Sequence, residues 1–398
     1  MKFLNNLLRV SVYEYRHILC SLPVLLVMGG GIILYGFLYN YMYRPNVLEN
    51  VPVVVVDKSS TPLSRKYIRM LDATPQVCVD AIVTDIIEAR HRVKTSQVLG
   101  LVFLPHDFDA KFGRGEASVF VSYNTTVSFL YYAALKEAFS GAMLALDEDV
   151  RFHQAVFLNT DVVQPIANTR SVGVQGIALS NENGGYATYL IPGVLMVIIF
   201  QTLLMVISMR CGTEYEHRML PLLPFTGGET TLWKAMSIVI GKTIVYVGFY
   251  ALFAVFLLGL LPLVFGLPHR ADSLLLIQLM IPYLFATSFF GLACSPFFKD
   301  SEAPLLLIAF FSVGLLFLSG ISWPLELMPW PWRLLHFLIP APVGVLAFVK
   351  ADSMGANLVE ISREMNLLWL QCMVYFVVAC WVYRSYLIKY PYSNQVNK

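Results

Sequence analysis

The side chains that could do chemistry are few and far apart. Asp57, Asp80, His91, His106, Asp107, Asp109 and His153 are scattered through the polar part of the chain. Asp57 closes the run VPVVVVD and stands before Ser59 and Ser60. There it either acts as a catalytic or binding carboxylate or caps a turn, and turn-capping is the commoner use of Asp in that setting. His106 and Asp107 follow Pro105 and read as a turn and a helix start. His269, Glu326 and His336 are isolated from other reactive groups. No G-x-S-x-G elbow or H-E-x-x-H pair occurs, and no Cys or His pair has zinc-ligand spacing. A G-x-x-x-x-G-K-[ST] loop is also missing, so the chain shows no phosphate cradle of that type. These features predict no catalytic, cofactor-binding or metal set.

The elements that carry these residues are mostly apolar. The chain is 57% hydrophobic and 14% charged, with mean hydropathy +0.64, whereas soluble domains carry about 25% charged residues. Of the 54 Lys, Arg, Asp and Glu residues, 28 lie in 43–185. A net charge of +2 without a basic run argues against nucleic-acid binding. Of the Cys residues, only Cys78 falls within 43–185, so that stretch holds no internal disulfide. Cys372 and Cys380 share one apolar segment and read as small core residues.

A span needs about 20 apolar residues. Six are expected, at 19–42, 186–209, 236–261, 274–297, 304–320 and 366–384. No Asp or Glu falls inside them, which argues against a carrier coupled through an intramembrane carboxylate. Lys242 lies near the end of the third, where it could snorkel to the interface. Gln201, Gln278, Gln371, Ser208 and Thr287 are polar groups within spans, serving either a substrate path or helix–helix hydrogen bonds. An even span number puts both termini on one side. Ten Lys and Arg on that side against four in the opposite short loops make it the cytoplasmic side, with 43–185 extracytoplasmic. The first apolar run is too long for a cleaved signal peptide and lacks a small-x-small site. Residues 1–18, with Leu4, Leu7, Leu8, Val12 and Tyr15 in helical spacing, read as an amphipathic interfacial helix or a plain extension of the first span.

Within 43–185 strand and helix patterns alternate: strands at Val51–Asp57, Gln76–Val83, Val98–Leu104 and Ala117–Tyr123, helices at Pro62–Leu71, Asp85–Thr95 and Thr126–Phe157. The expected fold is therefore an α-helical polytopic membrane protein of six spans with an inserted extracytoplasmic α/β domain. Residues 321–349 are apolar but interrupted by Pro324, Pro329, Pro331, Pro340 and Pro342. A straight span is unfavourable there, leaving a re-entrant pair of short helices or an amphipathic loop.

These features together resemble the permease subunit of a type-2 ABC exporter, in the subgroup with a large extracytoplasmic domain between the first two spans. The likeness rests on VVVVDKSSTPLSRKYIRML, on TDIIEARHRV, on GLVFLPHDFDAKFGRGEASVFVSYN, and on SNENGGYATYLIPG leading into the second span. VYEYRHIL resembles the family's elbow helix, with Glu14 at its acidic position and Arg16 beside it. RCGTEYEHRMLPLLPFTGGETTLWKAMSIVIGK resembles the cytoplasmic coupling region, although it carries an extra residue between Thr213 and Glu216 and an added Pro221. SGISWPLELMPWPWRLLHFLIPAPVGVLAF resembles the outer re-entrant helices, matching at Pro324, Met328, Pro329, Pro340 and Pro342.

The resemblance implies a subunit that forms the substrate path with a second, identical or related permease, in the inner membrane. It implies that two copies of a separate ATPase bind ATP for it, and that a periplasmic adaptor and outer-membrane channel could join. In segment 210–235, Glu214, Glu216, Arg218 and Glu229 form a charged rim around apolar Met219, Leu220, Leu222 and Phe225, which suits ATPase docking better than a plain solvated loop. Drugs, lipids and glycolipids stay open as cargo. The alternative is a membrane sensor or scaffold whose outer domain binds a ligand or envelope partner. Such a sensor needs a cytoplasmic output domain, and only about 15 residues follow Tyr383.

Overall fold

The computed structural model describes residues 2–43, 48–112, 120–123, 129–157, 185–217, 231–267 and 269–389. The chain divides into two compact units, one of Met1–Arg44, Leu179–Asn181 and Ala187–Lys398, the other of Pro45–Ala178 and Glu182–Tyr186.

The second unit is a small α/β layer structure. Strands β1 (Val51–Asp57), β2 (Val77–Val83), β3 (Gly100–Leu104) and β4 (Phe120–Tyr123) form one sheet in the order β2-β1-β3-β4. β1 is parallel to both β2 and β3, and β4 is antiparallel to β3. A central parallel strand is covered on both faces, so it must be apolar throughout. Val51, Val53 and Val55 accordingly pack with Tyr67, Leu71, Leu135 and Phe139, while Val54 and Val56 meet Ala89 and Leu101 on the other face. The covering helices are α3 (Pro62–Asp72) and α6 (Phe129–Phe157) on one side and α4 (Ile86–Lys94) on the other. A short helix, α5 (Phe108–Phe112), follows β3.

Asp57 acts as a turn cap. Its carboxylate accepts from Ser59 N at 3.0 Å, Ser60 N at 2.9 Å and Ser64 Oγ at 2.8 Å. Thr61 and Ser64 then close a reciprocal capping box that starts α3. Every lone pair used there is filled by residues within seven positions, so this carboxylate is structural.

The other unit is an α-helical polytopic membrane domain. Helix α1 (Lys2–Cys20) precedes α2 (Leu22–Met42), α7 (Tyr186–Glu216), α8 (Thr231–Phe265), α9 (Ser273–Ala293) and α13 (Ser362–Lys389). These last five are long and apolar enough to cross a membrane. α10 (Ala303–Leu318) occupies the place of the expected span at 304–320 but has only 16 residues, fewer than the roughly 20 a bilayer core requires. α11 (Trp330–Leu338) and α12 (Pro340–Met354) form a pair bent by 84°. Pro340 sits at the bend, where the ring removes a backbone donor.

The α11–α12 bend is held by side chains that reach exposed carbonyls. Gln371 Nε2 donates to Phe337 O at 2.8 Å, Tyr375 donates to Leu338 O, and His336 Nδ1 lies 2.7 Å from Leu318 O. The chain reaches this pair beside Tyr189, which donates to Ile321 O, and leaves it where Arg270 N donates to Asp352 O. Tyr189 begins α7 and Arg270 precedes α9, so both arms of the pair open toward the same end of the bundle.

α7 is the most enclosed span, with 78% of its apolar window buried against 22% for α2. The end of α7 differs from expectation. The helix continues to Glu216, past the predicted stop at 209, and so brings Arg210 and Glu214 into the packed bundle.

Candidate functional site

The charges brought in by α7 meet others from α1 and α8. α1 packs on α8 because Gly241 leaves room: a Cβ there would lie 3.0 Å from Val10 and 3.1 Å from Leu7 O. Ser11 Oγ donates to Gly241 O at 2.9 Å across the same seam. The helical repeat then buries Asn6, Val10, Glu14 and Ile18, while Leu4, Leu8, Val12, Tyr15 and Leu19 remain exposed. Leu4, Leu8, Val12 and Tyr15 of the apolar stripe read from sequence thus form the outward face of α1, suited to lipid, while Leu7 is half-buried at the α8 seam and the inward face carries the carboxylate.

Glu14, Arg210, Glu214 and Lys242 are all at most 2% exposed. Lys242 Nζ is 2.5 and 2.6 Å from the two oxygens of Glu214 and 3.5 Å from Glu14 Oε2. Arg210 reaches Glu14 Oε1 at 3.3 Å and Glu214 Oε1 at 3.6 Å. Tyr246 donates to Glu14 Oε1 at 2.5 Å. Two acids and two bases leave the cluster neutral. Desolvating ions costs several kcal/mol each, so such a cluster persists only when paired and hydrogen-bonded. For Glu14 burial alone would raise the carboxyl, but the Lys242 ammonium and Arg210 guanidinium outweigh it and hold it below the ordinary carboxylate range.

The cluster has two tight contacts, Lys242 with Glu214 and Tyr246 with Glu14, joined by looser ones through Arg210. It ties α1, α7 and α8 together at one end of the bundle. α13 joins through Tyr383, whose hydroxyl lies 3.5 Å from Cys211 Sγ and whose ring lies 5.9 Å from Lys242 Nζ. A cavity of about 400 Å3 opens beside Cys211, Glu214 and Tyr383, with Lys299 and Lys389 on its wall. The loop before α10 presses on the same end of α7. A Cβ on Gly212 would fall 2.1 Å from Asp300 O, so only glycine fits against that backbone.

This geometry corrects two expectations from the sequence. Glu214 is not on a charged docking rim; it is 1% exposed and bound to Lys242. Lys242 does not snorkel, because Glu214 and Glu14 supply a closer partner than the interface. Charged groups therefore do occupy span helices, and what is neutral is the cluster as a whole. Glu216 is exposed and accepts from Ser301 N at 3.3 Å, and Arg16 is exposed. Arg218, Met219, Leu220, Leu222, Phe225 and Glu229 lie outside the described residues. Glu14 joins the cluster, whereas Arg210, Lys242 and Tyr246 were not anticipated as members. The available signal was the i, i+4 spacing of Arg210 and Glu214, together with one unpaired Lys in an apolar run.

The remaining candidates disperse. Pro324 and Pro329 are exposed, Met328 is buried, and Pro340 and Pro342 are buried at the start of α12. Gln371 is spent on the α11 carbonyl, while Gln201 and Gln278 are half-buried on separate helices. Among the described residues no group of His, Cys, Asp and Glu could hold a metal ion.

The model of the ABC-2 family transporter protein matches residues 18–381. No curated protein matches the chain. A match over nearly the whole length, on a bundle of helices long and apolar enough to cross a membrane, settles the assignment: the chain belongs to the ABC-2 transporter family and is a multi-pass permease subunit of an ABC transporter.

Proposed function

We propose that this permease is an exporter subunit driven by a separate ATPase that docks on segment 210–235, and that the Glu14–Arg210–Glu214–Lys242 cluster carries the docking movement into the bundle. The observation behind this reading is the placement of the cluster. It stands at the foot of α7, where the chain enters 218–230, and binds that foot to α1 and α8. Lys242 sits 2.5 Å from one carboxylate and 3.5 Å from the other. A shift of α7 by about an ångström would transfer the ammonium from Glu214 toward Glu14 without exposing a charge. A two-state element of that kind is what a nucleotide-driven motor can bias.

In this reading both termini are cytoplasmic, in the inner membrane, and 43–185 is the extracytoplasmic domain of the large-domain exporter subgroup. A second permease, identical or related, completes the path. The chain binds no cofactor itself, and ATP is bound and hydrolysed by two copies of the partner. A periplasmic adaptor and outer-membrane channel would meet the outer domain. The re-entrant pair α11–α12 would close the outer side of the path.

The test uses Glu216→Lys with Arg218→Glu; Glu216 is exposed and outside the buried cluster. Co-purification of the ATPase subunit in mild detergent should fall sharply while the permease stays folded. Undiminished co-purification and ATP-driven export would refute docking at this segment.

A further inference from the structure

The cavity beside the charge cluster takes its walls from three elements. α7 supplies Cys211 and Tyr215, the turn after α9 supplies Ser295 and Lys299, and α13 supplies Trp381 and Tyr383. α9 ends at Ala293 and gives way to a short turn at Ser295–Phe297, so the wall on that side is a turn and not a helix. The volume of about 400 Å3 falls within the roughly 300–1,000 Å3 of ordinary ligand sites.

Three properties of these walls define an occupant. The first is aromatic surface. Tyr215 and Trp381 line the cavity and are both exposed, so their rings are open to a planar apolar body. The second is charge. Lys299 lines the cavity, is exposed, and has neither an ion pair nor a hydrogen bond among the described residues. Glu214 is the acid on this wall, and Lys242 already holds it at 2.5 Å. The third is a buried donor. Tyr383 is 3% exposed, and its hydroxyl has the Cys211 sulfur as its partner at 3.5 Å. Sulfur is a weak partner, so an oxygen acceptor in the cavity would compete well for that hydroxyl.

We propose that this cavity binds one small aromatic anion, an aryl carboxylate or a ligand of the same charge and shape, with its ring against Trp381 and Tyr215 and its carboxylate on Lys299. The charge cluster next to it admits an anion because Glu14 and Glu214 are balanced by Arg210 and Lys242, which leaves no net negative charge to repel one. The occupant touches α7 and α13 together and so braces the foot of one against the other. The site is independent of ATPase docking and goes beyond the transport reading.

The test is equilibrium dialysis of naphthoate against the full chain in mild detergent, with binding to empty micelles subtracted. The wild type should show saturable binding at a single site. Lys299→Gln should weaken it roughly tenfold, the loss of one charge-assisted hydrogen bond. Trp381→Ala should weaken it about fivefold, the loss of one ring contact. Both side chains are exposed, so both variants should keep the wild-type melting temperature without the probe. Lys94→Gln, at an exposed lysine of the α/β unit, should bind as the wild type does. Naphthylmethanol, the same ring without the charge, should bind the wild type roughly tenfold more weakly than naphthoate. No saturable binding, or equal affinity in the wild type and Lys299→Gln, would overturn the site. Naphthylmethanol binding as tightly as naphthoate would overturn the anion, and unchanged affinity in Trp381→Ala would overturn the ring contact.

Discussion

Asp57 and Glu14 are both buried carboxylates, one in each unit, yet they are satisfied in opposite ways. Asp57 takes its hydrogen bonds from Ser59, Ser60 and Ser64, all within seven residues. Glu14 takes its own from Arg210 and Tyr246 and pairs with the Lys242 ammonium, all roughly two hundred residues away. The first arrangement folds with its own turn and fixes one helix start. The second exists only when three helices have assembled, so it reports their relative position. A local cap can stabilise a domain, whereas only a long-range cluster can transmit a movement between elements.

The contrast can be broken most severely at the cluster. Removing one buried partner, as in Lys242→Ala, leaves Glu214 with only the looser Arg210 contact and should cost about 3–5 kcal/mol. Loss of monodisperse protein in size-exclusion chromatography would register it, and a wild-type melting temperature would contradict the pairing seen here. Gly212→Ala comes next, since its Cβ would strike the Asp300 carbonyl. Overpacking costs about 1–3 kcal/mol, so a lowered thermal midpoint is expected, and an unchanged one would show that this loop moves aside freely. Asp57→Ala should cost less, about 1–2 kcal/mol for a lost cap. Its effect should stay within the α/β unit, visible as faster hydrogen exchange in α3 and none in α8. Altered exchange in α8 would erase the local character assigned to it. The smallest effect on stability belongs to Glu216→Lys, a surface change worth within about 0.5 kcal/mol. A melting shift well beyond that would mean that Glu216 is more deeply engaged than its exposure indicates.

The same contrast explains what the sequence disclosed. The turn of Asp57 was legible because each partner lies within a short window and Ser-Ser-Thr-Pro is a helix-start pattern. The valines of β1 were legible because a doubly covered strand must be apolar at every position. The spans were legible as apolar runs, with α10 shorter than expected. The end of α7 was misread because charged Arg210 and Glu214 end the apolar run, although their i, i+4 spacing suits a helix. Their partners, Glu14 and Lys242, are chosen by packing around Gly241 and Gly212, which no local pattern encodes. Proline marked the break between α11 and α12, but the carbonyl partners Gln371, Tyr375 and His336 depend on tertiary contact.

The central claim is best tested by replacing the tight ion pair with apolar groups, Glu214→Leu with Lys242→Met, and following spin-label distances between α2 and α9 with and without ATP in the assembled transporter. Swapping a buried pair for hydrophobic residues is often neutral for folding, so the complex should form and hydrolyse ATP. The account predicts that hydrolysis continues while the nucleotide-dependent distance change disappears. A wild-type distance change in that double variant would contradict it.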